Sequence, residues 1–410
     1  MEVIVQKFGG TSVKDEASRK KAIKHIQSAI REGYKVVVVV SAMGRMPEPY
    51  ATDALLKLVD YPNHHISNRE HDLLLACGEI ISTVVFSNQL KRLGLSATAL
   101  TGREAGIITS DDYTQAKIID MRPERLIEEL EVHDAVVVAG FQGQTEQGDV
   151  TTLGRGGSDT TAAAIGASID ATFVDIFTDV DGIKTADPRI VESARTLDVV
   201  TYNEIVNLAY QGAKVIHPRA VEIAMQAKVP LRIRSTELEH VGTVVTGAID
   251  TIKGKDINDR LITGIAHITG IAQIKIETKE PLDKLHDDVF GSLAEAGISV
   301  DFINMFPTGL RFTVPEALLV KAVAVIEQVG YQPTFVTSCA KVSVVGAGMT
   351  GVPGVTARIV RSLHEKGVHI LQSSDSHTTI WVLIEETDVN KALNALHDAF
   401  ELSNRNWLQN

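Results

Sequence analysis

Two glycine-rich clusters in this sequence carry the residue types that handle anions. Residues 4–15 read IVQKFGGTSVKD, with Lys7 just before Gly9-Gly10 and Thr11-Ser12 just after. Glycines let backbone N–H groups approach an anion, and a lysine adds a point charge. The plainer alternative is a strand, a turn and an incidental lysine. The phosphate loop G-x-x-x-x-G-K-[ST] occurs nowhere in the chain. The second cluster, LGRGGSDTT at 153–161, follows an apolar strand region and precedes an alanine-rich helix predicted over 160–167. Ser158 or Asp159 is a candidate cap for that helix, whose N-terminal N–H groups, with Gly156 and Gly157, form an anion site. Arg155 is placed to grip a carboxylate or phosphate bidentately. A plain capped helix does not need three glycines around an arginine. FTDVDGIKTADPR adds Asp179, Asp181, Lys184 and Arg189, and GAKVIHP adds Lys214. Lys7, Arg155, Lys184, Arg189 and Lys214 together offer the basicity that a nucleoside triphosphate requires, within a chain of net charge −12.

These clusters need a scaffold that brings them to one edge. Short β-branched runs recur over the first 235 residues: VIVQKF, KVVVVVSAMG, LSATALTG, DAVVVAGFQG, ATFVDIFTDVDG and VPLRIRST. Helical spacing separates them, over 16–31, 69–93 and 221–228. Apolar strands alternating with helices predict a mostly parallel sheet covered on both faces. Such sheets bind ligands at the carboxyl ends of their strands. Gly9-Gly10-Thr11, Ser41-Ala42-Met43-Gly44, Gly140-Phe141-Gln142-Gly143 and Thr178-Asp179 all fall at those ends.

Composition narrows the function. A chain of 410 residues with 44% hydrophobic and 22% charged content predicts two or three globular domains. The acidic balance argues against nucleic acid. Two distant cysteines, Cys77 and Cys339, suit a reducing compartment and give no zinc or disulfide framework. No membrane-spanning run or secretory leader is evident, so the expectation is a cytoplasmic protein without a membrane partner.

Residues 237–260 have little periodicity and read as a connector. Beyond them SLAEAGISVDFI at 292 and SLHEKGVHILQS at 362 repeat at an offset of 70, and the register holds through Lys321-Ala322 and Lys391-Ala392. The agreement predicts a duplicated strand–helix–strand–strand–helix unit, whose open edges call for pairing between copies or subunits. Residues 346–351 satisfy G-x-G-x-x-G, which would signal a dinucleotide enzyme. Val352-Pro353-Gly354 intervenes before the helix, and only about sixty residues remain, fewer than the rest of a Rossmann domain needs. A glycine-rich turn in the repeat fits better.

KFGGTS, SAMG, CGEIIS, GFQG, TTLGRGGSD, TDVDGIKTADPR and GAKVIHP, in this order, resemble aspartate kinases, most closely the monofunctional Bacillus-type enzymes. The resemblance implies a three-layer α/β/α amino-acid kinase domain at 1–246 and a connector at 247–262. Two ferredoxin-like (βαββαβ) ACT modules follow at 263–340 and 341–410, with strands free to interleave. It implies ATP-dependent phosphorylation of the L-aspartate β-carboxylate, the first step towards lysine, diaminopimelate, threonine and methionine.

By motif match, Lys7, Arg155 and Asp159 carry the catalysis. Thr52, Glu79, Arg155, Gly156, Ser158 and Asp159 meet aspartate, although the insertion RMPEPY precedes Thr52. Lys7, Gly9, Gly10, Ser41, Thr178, Asp179, Lys184, Arg189 and Lys214 fall on the ATP side, Lys184 standing where the family usually has an aromatic residue. Magnesium is expected with ATP, its protein ligands unassigned. Val300, Asp301 and Asn304 match the effector strand of the first ACT module, for diaminopimelate, lysine or threonine, in a homo-oligomer joined through these modules. The chemistry is consistent: a carboxylate is already ionised at neutral pH, so no general base is needed, and positioning and charge stabilisation remain. The alternatives are another carboxylate kinase of the same fold and a non-catalytic amino-acid sensor.

Overall fold

Runs such as VVVVV at 36–40 and AVVVA at 135–139, apolar at every position, are stable only where both faces of a sheet are covered. The computed structural model describes all residues except 64, 214, 248–260, 279–281, 350 and 405–410. In chain order the strands of the first part are β1 Val3–Phe8, β2 Lys35–Val40, β3 Ala97–Leu100, β4 Ile107–Thr109, β5 Ile118–Met121, β6 Ala135–Ala139, β7 Gln142–Gln144, β8 Val150–Thr152, β9 Phe173–Thr178, β10 Val199–Thr201, β11 Leu231–Ser235 and β12 Thr243–Thr246. The helices are α1 Gly10–Val13, α2 Glu16–Arg31, α3 Thr52–Lys57, α4 Asn68–Arg92, α5 Glu124–Val132, α6 Gly157–Ser168, α7 Tyr202–Tyr210 and α8 Pro218–Ala227.

The large sheet runs β10-β12-β11-β9-β1-β2-β6-β3, parallel except between β11 and β12. On one face Ala22, Ile23 and Ile26 of α2 and Phe86 and Leu90 of α4 pack on Ile4, Phe8, Val36 and Val38. On the other lies α6, whose Gly166 admits Val174. This is the expected three-layer arrangement. The chain leaves β1 for β2 on one side, and β9 flanks β1 on the other, so β1 sits where the winding reverses and a crevice opens. A small sheet, β5-β4-β7-β8, feeds directly into the 153–157 turn. Two expectations need correction. Thr243–Thr246 is a sheet strand, so the region read as a connector begins later than residue 237. Also, α4 is 25 residues long and apolar enough to span a membrane by length and composition. It is instead half-buried in this domain, and its buried residues include Asp72 and Glu79.

The repeats follow as β13 Gly264–Glu277, α9 Leu282–Glu295, β14 Asp301–Phe306, β15 Gly309–Pro315, α10 Leu319–Gln328, then β16 Thr334–Val345, α11 Val355–Glu365, β17 Gln372–Asp375, β18 Thr379–Glu385 and α12 Val389–Ala399. They form one six-stranded sheet, β14-β15-β13-β16-β18-β17. The long strands are shared. Ile271–Glu277 of β13 pairs with β15, while Gly264–Ile268 completes the second repeat against Val345–Lys341. Reciprocally, Cys339–Val345 pairs with β18 while Thr334–Val336 edges the first repeat. Gly346, Gly348 and Gly351 lie between β16 and α11, where Gly346 leaves no room for a Cβ against Leu261 O.

Two compact units emerge: Met1–Ile183, Thr196–Ala209 and Lys214–Ile257 in one, Lys184–Arg195, Tyr210–Ala213 and Asn258–Asn410 in the other. The 184–195 segment is thus part of the same unit as the repeats. Ala186 and Val191 join the core beneath α11 and α12. Thr185 Oγ1 meets His397 Nε2 at 2.9 Å, and Asn394 donates to Ile190 O at 3.1 Å.

Candidate active site

Lys7 is the penultimate residue of β1, and its ammonium lies over the glycine turn: a Cβ on Gly9 would lie 3.5 Å from Lys7 Nζ. The turn is closed by the Gly44 N–H donating to Gly10 O at 3.0 Å, and a Cβ on Gly10 would strike Ala42 O at 2.7 Å. Gly10 is therefore a packing requirement, whereas a side chain at Gly9 would meet only an ordinary contact with Lys7 Nζ. Lys7 Nζ pairs with Asp159 Oδ1 at 2.7 Å. Ser41 donates to Ser158 across the same gap at 2.9 Å.

Helix α6 begins at Gly156, in the left-handed region at φ +69° and without a side-chain cap. Ser158 and Asp159 are not caps, contrary to expectation. They lie in the first turn, and Asp159 spends its carboxylate on Lys7. Arg155 is exposed on the turn and has no ion-pair partner among the described residues.

Glu79 lies at mid-length in α4, 3% exposed. The Ala42 N–H donates to Glu79 Oε1 at 3.0 Å, while Oε2 is buried without a partner among the described residues. Gly78 permits this approach, because a Cβ there would fall 2.9 Å from Ala42 Cβ. Burial pushes the Glu79 carboxyl up to about 8, against the smaller lowering by the Ala42 and Glu79 N–H groups. A carboxyl kept dry and half-paired is one that a neighbouring cation would draw into its ionised form.

Two clefts meet here. The larger, about 1230 Å³, is lined by Glu79, Arg155, Gly156, Ser158 and Asp159 among others. The smaller, about 400 Å³, is lined by Gly9, Gly10, Ala42, Thr178 and Asp179. Lys7, Ser41 and Thr52 line both. Lys184 and Arg189 belong to the other compact unit, where Asp187 holds the Arg189 guanidinium through Nε and Nη2 at 3.0 and 2.7 Å. Lys214 lies outside the described residues. Val300 packs on the core of the first repeat, while Asp301 and Asn304 are exposed on edge strand β14, Asp301 paired with Lys341.

Sequence reasoning missed Asp72, fully buried two helical turns before Glu79. It accepts from Thr114 N at 2.9 Å, Thr152 N at 2.8 Å and Thr152 Oγ1 at 2.7 Å, fastening the small sheet to α4. An acid among the apolar residues of HDLLLA was the available signal. His217 and Arg219, which also line the larger cleft, were missed too. Among the described residues no cluster of three metal-ligating side chains occurs.

A mostly parallel sheet whose strand ends carry two adjoining clefts sharing Lys7 is an arrangement that a phosphotransferase can use. The Amino acid kinase family matches residues 2–235 and the ACT domain matches residues 335–398. Aspartokinase 1 of Bacillus subtilis is 59% identical over 98% of this chain and all of its own. The aspartokinase of Mycolicibacterium smegmatis is 41% identical over 98% and 97%. Among solved structures, Clostridium acetobutylicum aspartate kinase aligns with TM-score 0.79 at 25% identity, over 97% of this chain and all of that one. Escherichia coli aspartokinase III, in complex with aspartate and ADP, aligns at 0.76 and 25%, over 97% and 99%. The chain belongs to the aspartokinases of the amino acid kinase family.

Proposed function

We propose that this enzyme transfers the γ-phosphoryl group of ATP to the β-carboxylate of L-aspartate. One observation carries the reading: Lys7 lines both clefts, with the Glu79–Arg155 side in one and the glycine turn with Thr178-Asp179 in the other. A phosphoryl group crossing between them passes the Lys7 ammonium. A β-carboxylate oxygen forms the new bond to the γ-phosphorus, the bond to the β,γ-bridging oxygen breaks, and ADP leaves; no proton moves. Lys7 balances charge on the phosphoryl oxygens in flight, relinquishing Asp159 as it does so. Arg155 takes the α-carboxylate and Glu79 the ammonium. Gly9, Gly10 and Ser41 cradle phosphates. Asp179 and the Thr178 and Ser41 hydroxyls are a sparse oxygen set that suits a magnesium ion held chiefly by phosphates and water.

The residues from 263 onward act as a feedback sensor for an amino-acid end product, namely diaminopimelate, lysine or threonine. Its site includes Val300, Asp301 and Asn304 and lies where modules of two subunits meet. Supporting this, Escherichia coli aspartokinase III, in a structure aligning at TM-score 0.76 and 25% identity, is in complex with lysine and aspartate in its T-state. The enzyme acts in the cytoplasm, where ATP and aspartate are at hand. The test is aspartate-dependent ADP release with the product trapped by hydroxylamine as the hydroxamate. ADP release without hydroxamate would refute the acceptor.

A further inference from the structure

His217 is the N-cap residue of α8, extended at φ −77° and ψ 132°, with no side-chain cap and with Pro218 at the first helical position. Its ring lies against the backbone of Gly156. A Cβ on Gly156 would fall 2.2 Å from His217 Cβ and Cγ and 2.6 Å from Cδ2. The His217 atoms nearest that position are carbons. The ring nitrogen Nδ1 is buried and has no hydrogen-bond partner among the described residues, so no hydrogen bond from Nδ1 within the chain holds the ring in place and its packing against Gly156 does. Gly156 follows Arg155 directly and opens α6 in a left-handed conformation, so whatever braces Gly156 sets the direction in which the Arg155 backbone leaves the helix.

The chain before Arg155 is held elsewhere. Arg219 donates to Leu153 O at 3.2 Å and to Ala116 O at 3.0 Å, and Asp72 holds Thr152. These bonds fix the entry to the turn, and the His217 ring braces its exit.

We propose that His217 is a positioning residue for Arg155: its imidazole is a rigid plate that holds the Gly154–Gly156 turn and so aims the guanidinium at the substrate carboxylate. The proposal rests on the substrate-side reading of Arg155 given above. It concerns the ring's shape, not its nitrogens. A misplacement of about 1 Å at a carboxylate clamp costs on the order of 10²-fold, so a partial loosening is expected to cost on the order of tenfold.

The test pairs His217→Ala with His217→Phe. Amide hydrogen exchange over residues 154–158 reads the turn whatever the substrate, and steady-state kinetics read its use. His217→Ala should speed exchange in that segment and raise the KM for aspartate on the order of tenfold, while the KM for ATP and kcat change by about twofold or less. His217→Phe keeps the plane and should return both readouts to near wild type. If the alanine variant does not fold, His217→Leu serves in its place: it keeps the bulk without the plane and must also loosen the turn. Unchanged exchange in the variants lacking the ring overturns the proposal. So does a phenylalanine variant as impaired as alanine, which would give the role to the nitrogens. Faster exchange with an unchanged KM for aspartate upholds the brace and instead removes Arg155 from the substrate side, the failure of the functional reading.

Discussion

Replacing Glu79 with glutamine separates what this carboxyl costs the fold from what it gives the substrate. In the unfolded chain the group ionises near 4.5, whereas burial among α4 and the SAMG turn raises it to about 8. Between those values the folded state holds a proton that the unfolded state has lost. The stability of the wild type therefore falls by about 1.4 kcal/mol per pH unit as pH climbs from 4.5 towards 8, and it levels off above. Glutamine mimics the protonated acid and does not titrate. Glu79→Gln should thus match the wild type near pH 5 and exceed it by a few kcal/mol, on the order of 2–4, at pH 8 in denaturant unfolding. Binding should move oppositely. An ammonium needs the ionised form, and the ionised fraction grows on the order of tenfold between pH 6.5 and 8, so the wild-type Kd for aspartate should fall by about that factor. In Glu79→Gln the Kd, measured by calorimetry without nucleotide, should be on the order of 10²-fold weaker and flat with pH, because a charge-assisted contact is lost. A variant that binds aspartate as tightly as the wild type, or keeps its pH dependence, refutes the assignment.

Lys7→Ala should lower kcat at least about 10²-fold with little change in ATP affinity, since the interaction matters most in the transition state; single-turnover kinetics with nucleotide titration check it. Arg155→Lys should raise the KM for aspartate and leave that for ATP in place, because an ammonium cannot reproduce the planar fork; the opposite pattern in steady-state kinetics moves Arg155 to the nucleotide. Asp301→Ala, which also frees Lys341, should raise the end-product concentration needed for inhibition while uninhibited turnover holds; inhibition curves with diaminopimelate, lysine and threonine, singly and paired, decide it.

The scaffold was legible because its signals are local. Uninterrupted β-branched runs became β1, β2 and β6, the helix expected over 16–31 is α2 residue for residue, and the offset of 70 reappears as β14 and β17, α10 and α12. Glycine placement also pointed to the right strand ends. What the sequence hid are contacts made by tertiary approach. Asp72 reaches Thr114 and Thr152 across tens of residues, and His217 meets Gly156 only because α8 packs on α6. The capping rule misjudged Ser158 and Asp159, since a left-handed glycine can start a helix and release Asp159 to Lys7. Lys184 and Arg189 sit beside TDVDG in sequence, yet Thr185, Ala186 and Val191 pack them into the regulatory unit, a partition that spacing cannot show.

Oxygen labelling tests the central claim most directly. Aspartate carrying ¹⁸O in its β-carboxylate is incubated with ATP, and hydroxylamine then attacks the carbonyl carbon of the product and releases phosphate. If a carboxylate oxygen attacks the γ-phosphorus, that phosphate contains one ¹⁸O atom, and its yield matches the ADP formed. ADP accompanied by unlabelled phosphate would mean that water is the acceptor and would contradict the account.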